Sequence, residues 1–217
     1  METIFKWGLY FLPFMFIYLC IDEKKGARLG AIFLSSAWIY LRFKIYFFEL
    51  TQMLPEILAD VLGGWILGAV ILGVYFPLCA KIDAFFAKAG LRAGMIFCAA
   101  VSFIMIVNNG DKEMLLLGGI MLGAGAGCCL NARYVGFNAA IADKTGAAKF
   151  LFVLVRFLLG VTGFLLILAA AGKIIPQESA NKNLYEFLRF ALGGLWLCAG
   201  SPWVFVRLHL AAAGKDQ

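Results

Sequence analysis

Charged side chains between residues 42 and 60 could form a binding site, because they lie within or beside apolar runs. Arg42 and Lys44 interrupt one apolar run, and Glu56 and Asp60 lie where the next run begins. Four residues separate Glu56 from Asp60, so both carboxylates share one face if that turn is helical. The cluster could hold a cationic group on the carboxylates or a phosphate on the cations. A structural network of ion pairs explains the same residues equally well.

Other reactive side chains form no recognisable site. His209 is the only histidine, and one imidazole supplies neither a metal site nor a histidine pair, so we expect an interfacial residue. Arg156 and Arg189 lie near the ends of their apolar runs and are expected to extend to the membrane surface. Six cysteines lie in or beside apolar runs without a Cys-x-x-Cys spacing, which is typical of packing residues. We expect no metal and no cofactor.

Three glycines at a spacing of four predict a close helix contact. Gly119, Gly123 and Gly127 share one helix face, where another backbone can approach within the monomer or across a dimer. No strand precedes this run, so its context excludes a nucleotide-binding loop. Gly64 and Gly68 form a weaker instance of the same pattern.

The elements that position these residues are membrane helices. Hydrophobic residues make up 63% of the 217 positions and charged residues 15%, where a soluble domain carries about 25% charge. Unbroken apolar runs favour helices over a barrel. We predict an all-α polytopic membrane protein with one domain, 1–217, and a bundle of about seven helices. The predicted spans are 5–21, 29–50, 57–79, 90–107, 114–132, 150–172 and 186–208.

The distribution of basic residues predicts the orientation of the bundle. Eleven lysines and arginines lie in the loops of one side and four in those of the other. Because cytoplasmic loops carry the excess of positive charge, we expect the N-terminus outside and the C-terminus in the cytoplasm. The net charge of +6 therefore gives no indication of a nucleic-acid partner.

The segment Leu58-Ala-Asp-Val-Leu-Gly-Gly-Trp-Ile-Leu-Gly-Ala resembles the helix with the last catalytic motif of the type 2 phosphatidic acid phosphatase family. Asp60 matches the aspartate of that motif. Looser similarities to bacterial members occur in the charged loop Asp22 to Gly30 and in three C-terminal segments, which begin at Arg133, Arg156 and Leu195. The resemblance implies a protein of the bacterial inner membrane.

The family's catalytic residues are missing. Its chemistry uses a nucleophilic histidine, a second histidine as acid and base, and basic residues that hold the phosphate. Glu56 stands where the nucleophilic histidine belongs, and the chain contains no Pro-Ser-Gly-His. Lys44 could match the lysine of the first motif, but Thr51 and Gln52 occupy its Arg-Pro positions. The chain thus resembles a degenerate or internally deleted family member.

These observations favour a non-catalytic relative of membrane lipid-phosphate phosphatases that binds a lipid or a membrane partner. The glycine face could also pack against a second copy of the chain, which would form a homo-oligomer. One alternative is a small-solute transporter, or a subunit of one, with its polar site at the second and third spans. Another alternative is an active phosphatase with a non-standard site.

Overall fold

The structure is a computed structural model that describes residues 2–46, 90–107, 111–139, 147–174 and 182–213, with the single positions 70, 73 and 81. Its helices are α1 (Glu2–Cys20), α2 (Glu23–Tyr46), α3 (Leu91–Ile106), α4 (Lys112–Leu130), α5 (Ala147–Ile174), α6 (Lys182–Leu195) and α7 (Ser201–Arg207). Two π-helical segments, Asn131–Val135 and Trp196–Gly200, continue α4 and join α6 to α7.

The architecture confirms the predicted all-α membrane fold. In the part of the chain that the structure describes, three helical stretches are long and apolar enough to cross a membrane: Lys112–Val135, Lys149–Lys173 and Lys182–Arg207. Among the described residues, Phe11–Cys20 and Leu91–Ile106 are shorter apolar helices. The predicted span 57–79 lies outside the described residues except for two helical positions, so the number of seven spans stays a prediction.

The chain forms two compact units. The first contains Met1–Gly30 and Leu91–Gln217, and the second contains Ala31–Gly90. Asp22 begins α2 by accepting a hydrogen bond of 2.9 Å from the Lys25 backbone N–H. This bond holds the pKa of Asp22 below its ordinary value, because it stabilises the charged carboxylate.

Helices α4 and α6 lie side by side and run in the same direction. A Cβ atom added at Gly119 would lie 2.6 Å from the Phe187 carbonyl oxygen, and one at Gly127 would lie 2.8 Å from the Cys198 Cβ. At Gly123 it would overlap the Ala191 carbonyl group. The glycine face of α4 therefore lies directly against the backbone of α6.

Helices α5 and α3 run antiparallel to this pair. The Trp196 indole N–H donates to the Gly160 carbonyl at 3.2 Å, and Arg189 Nε donates to the Leu168 carbonyl at 2.8 Å. On the other side of α4, the Ser102 hydroxyl of α3 donates to the Gly118 carbonyl at 2.7 Å. Helix α1 packs on α5, where the Phe16 and Phe157 rings meet edge to face.

A short antiparallel strand pair lies at the end of unit 1 where α4 finishes. Strand β1 (Phe137–Asn138) pairs with β2 (Ala212–Ala213), with Phe137 opposite Ala213. Gly136 precedes β1 with a φ of 59°, a left-handed conformation that favours glycine. Its N–H bonds to the Asn131 carbonyl at 2.7 Å and ends the π-helical segment.

Replacing Gly123 by alanine tests the close contact of α4 with α6. We expect a loss of about 1–3 kcal/mol in unfolding free energy, because the new methyl group must displace the Ala191 backbone. The matched control is Gly30→Ala in α2, where a Cβ meets nothing within 4 Å. That variant should gain about 0.5–1 kcal/mol from the removal of a helical glycine. Equal thermal unfolding of both variants in detergent would contradict the contact.

Candidate functional site

The structure describes one of the four residues of the predicted charged cluster in full. Arg42 lies near the end of α2 in unit 2, with its Cζ 5.6 Å from the centroid of the Trp38 ring. Its Nε and Nη2 atoms are buried and have no hydrogen-bond partner among the described residues. The side chain of Lys44, as well as Glu56 and Asp60, lies outside the described residues.

The surroundings of Arg42 favour an anionic partner. A guanidinium has five donors in one plane, a geometry that matches phosphate and carboxylate oxygens. The indole face stabilises the cation but accepts no strong hydrogen bond. A buried donor without an acceptor costs roughly 1–3 kcal/mol, and more when it is charged. Two nitrogens of this cation therefore remain available for an acceptor that the described residues do not supply.

A second polar cluster is buried in unit 1 and has Tyr18 at its centre. The Tyr18 hydroxyl donates to the Cys198 carbonyl at 3.1 Å. Pro202 stands four residues after Cys198 and has no N–H, so it cannot supply the usual helical bond to that carbonyl. Tyr18 of α1 thus satisfies a carbonyl that Pro202 leaves without its helical partner.

Asn131 extends this cluster to the loop that follows α4. Its side-chain N–H donates to the Tyr18 hydroxyl oxygen at 3.2 Å, while its side-chain oxygen Oδ1 accepts from the Phe137 N–H at 3.2 Å. Glu23 accepts a bond of 3.0 Å from the Ala139 N–H. Polar side chains of α1, α2 and α4 therefore fix the path of residues 136–139.

Arg156 completes the cluster, and its predicted extension to the membrane surface is wrong. The side chain is 1% exposed. Its Nη1 donates to the Ala139 carbonyl at 2.9 Å, and its Nε donates to the Leu210 carbonyl at 2.8 Å. Nη2 also donates to Leu210. The guanidinium stays inside because two loop carbonyls, rather than water, accept its hydrogen bonds.

Arg189 also bonds within the bundle instead of extending freely from it. Besides its bond to the Leu168 carbonyl, its Nη1 lies 3.4 Å from Glu186 Oε2. Only 14% of its side chain is exposed. The carbonyl on α5 holds this guanidinium between the two helices.

His209 and the cysteines form no metal-binding group in the described part of the chain. His209 is exposed in the turn after α7, where its φ of 54° is left-handed. Cys20, Cys98 and Cys198 are buried, whereas Cys128 and Cys129 are half-buried. No group of three or more potential metal ligands occurs among the described residues. Cys79 lies outside them.

Comparison with known families finds a match in the C-terminal part of the chain. Residues 115–213 match the family model of the PAP2 superfamily phosphatase, transmembrane extension. The match covers 99 of the 217 residues. It supports the predicted resemblance of the chain to the PAP2-like membrane family. No curated protein and no solved structure matches the chain.

The matched segment, 115–213, contains the glycine face of α4, Asn131, Arg156 and Leu210. Sequence reasoning missed the roles of Tyr18, Glu23 and Asn131. Pro202 within an apolar run was an available signal, because it predicts a carbonyl four residues earlier without its helical partner. Nothing in the sequence indicates that Tyr18, 180 residues away, supplies the donor.

Replacing Tyr18 by phenylalanine tests the buried cluster. We expect unfolding free energy to fall by about 1–3 kcal/mol, because the Cys198 carbonyl and the Asn131 amide both lose their partner. Tyr134→Phe is the matched control, since the Tyr134 side chain is exposed, and should change stability by less than about 0.5 kcal/mol. Thermal unfolding in one detergent measures both. Equal effects would contradict a cluster that stabilises the fold.

Proposed function

We propose that this PAP2-related membrane protein is non-catalytic and binds a phosphate-bearing lipid through Arg42. The observation that carries the proposal is the guanidinium of Arg42 beside Trp38, in which two buried nitrogens find no acceptor among the described residues. A lipid phosphate would supply the missing acceptors, and the indole would pack on the headgroup or the first part of an acyl chain.

Lys44, Glu56 and Asp60 are proposed to complete this site. Lys44 stands two residues after Arg42 in α2, a spacing at which two residues do not share a helix face, so it would add long-range positive charge rather than a contact with the same phosphate. Glu56 and Asp60 could orient the two cations or accept a cationic headgroup, as their spacing predicts. With the predicted topology, the site would lie towards the outer side of a bacterial inner membrane, with the C-terminus in the cytoplasm.

We propose that the protein is non-catalytic because it has too few histidines and because Arg156 is not free to bind phosphate. The family's route needs two histidines, and this sequence has only His209. His209 lies in the turn after α7, and the carbonyl of the next residue, Leu210, accepts a hydrogen bond from Arg156. Arg156 is itself occupied by backbone carbonyls, so it does not offer the exposed phosphate-binding groups on which phosphoryl transfer relies.

Replacing Arg42 by glutamine tests lipid binding. We expect the phosphate-bearing lipid that copurifies with the chain to fall by about tenfold, because one charge-assisted hydrogen bond contributes roughly 1.5–3 kcal/mol. Mass spectrometry of extracted lipid per mole of protein gives the measurement. The control is Arg92→Gln, which removes an exposed arginine at the start of α3. Equal lipid content in both variants and the unmodified chain would favour a structural role for Arg42.

The purified protein should not hydrolyse phosphatidic acid, isoprenoid pyrophosphate or sugar phosphates. Glu56 stands in place of the nucleophilic histidine, and the sequence does not supply the proton donor and the matched arginines that the reaction needs. Phosphate release is compared with that of a mock purification. Release that Asp60→Asn or Glu56→Gln abolishes would refute the non-catalytic proposal and support a non-standard active site.

A further inference from the structure

Several helices of unit 1 finish at one end of the unit, and hydrogen bonds between their ends identify it. Tyr18, near the end of α1, bonds to Asn131 at the end of α4. Leu210, just after α7, bonds to Arg156 in the first part of α5. The ends of α1, α4 and α7 and the start of α5 are therefore neighbours.

Positive charge is in excess at this end. Lys24, Arg133, Lys149 and Arg207 are exposed there, and none forms an ion pair with another described residue. The described acids nearby, Asp22 and Glu23, are already engaged. Asp22 lies 3.4 Å from Lys25 Nζ, and Glu23 accepts from the Ala139 backbone.

The opposite end of unit 1 is more balanced. Its described charges include Asp111, Lys112 and Glu113 at the start of α4 and Lys173 at the end of α5. Arg189 pairs with Glu186 at 3.4 Å in α6. The basic surplus among the described residues is thus specific to one end and is not a property of the whole surface.

One of these arginines stands beside an exposed aromatic ring, and another precedes an exposed tyrosine in the sequence. The Arg207 Cζ lies 5.1 Å from the centroid of the Trp203 ring, and 52% of Trp203 is exposed. Arg133 precedes Tyr134, which is 68% exposed. The segment Asn131–Val135 contacts α7, so the two pairs lie at the same end of unit 1. Arg133, Tyr134, Trp203 and Arg207 together are termed the basic-aromatic patch.

We infer that the basic-aromatic patch binds the headgroup of an anionic phospholipid in the adjacent leaflet. Guanidinium groups match phosphate oxygens, while tryptophan and tyrosine side chains favour the level of the headgroups. The apolar side chain of Leu208 is exposed directly after Arg207, which suits an acyl chain rather than a soluble phosphate. This inference uses no residue of the Arg42 site and stands apart from the proposed function.

Lipid preference of the purified full chain tests the patch. Phosphatidylglycerol and phosphatidylcholine with the same acyl-chain fluorophore are titrated in detergent, and binding is followed by anisotropy. The unmodified chain should prefer phosphatidylglycerol. In Arg133→Gln/Arg207→Gln the preference should fall by about fivefold for each arginine removed. The control Lys112→Gln/Lys173→Gln removes two exposed charges at the opposite end and should leave the preference unchanged.

A charge-conserving variant separates binding from folding. Arg133→Lys/Arg207→Lys should retain most of the preference, because long-range attraction to the headgroup persists without the planar contacts. The difference between the unmodified chain and the glutamine variant should also persist when Arg42→Gln is added to both, which keeps this test independent of the Arg42 site.

Three outcomes would overturn the inference. The first is equal binding of the two lipids by the unmodified chain. The second is a full preference in the glutamine variant. The third is displacement of the labelled lipid by soluble glycerophosphoglycerol at the same concentration, because a soluble headgroup would then suffice.

Discussion

The close contact between α4 and α6 is the constraint on which the bundle of unit 1 depends. Gly119, Gly123 and Gly127 remove the side chains that would separate the two helices, and Gly194 does the same from the α6 side. Because these helices are parallel, the chain must return between them, and α5 makes that return. The glycine face therefore determines both the spacing of the helices and the position of Arg156, which α5 brings to the ends of its neighbours.

Apolar packing alone does not complete this arrangement. Pro202 leaves the Cys198 carbonyl without its helical partner, and the loops after α4 and α7 contain further carbonyls that no helix satisfies. Tyr18 and Arg156 donate hydrogen bonds to these carbonyls. The bonds offset the free-energy cost of burying a hydroxyl and a guanidinium. The buried polar residues thus connect segments that are distant in sequence.

The sequence predicted the fold class and the close-packing glycines because hydropathy and spacing are local properties. It did not predict the fate of Arg156, since the acceptors at Ala139 and Leu210 lie in loops whose proximity arises only when the bundle forms. The most specific resemblance was the Asp60 helix, yet the family match covers 115–213, where the similarities were loose. The match therefore rests on a pattern distributed over several helical segments and not on the one short motif.

The link between Arg156 and Leu210 has a consequence for the biogenesis of the protein. Arg156 is synthesised 54 residues before Leu210, so α5 exists before the acceptor of two of its guanidinium nitrogens has been made. An arginine without partners in a membrane helix costs up to about 3 kcal/mol at the helix centre. The hydrogen-bonding environment of Arg156 is therefore complete only after α6, α7 and Leu210 have been synthesised.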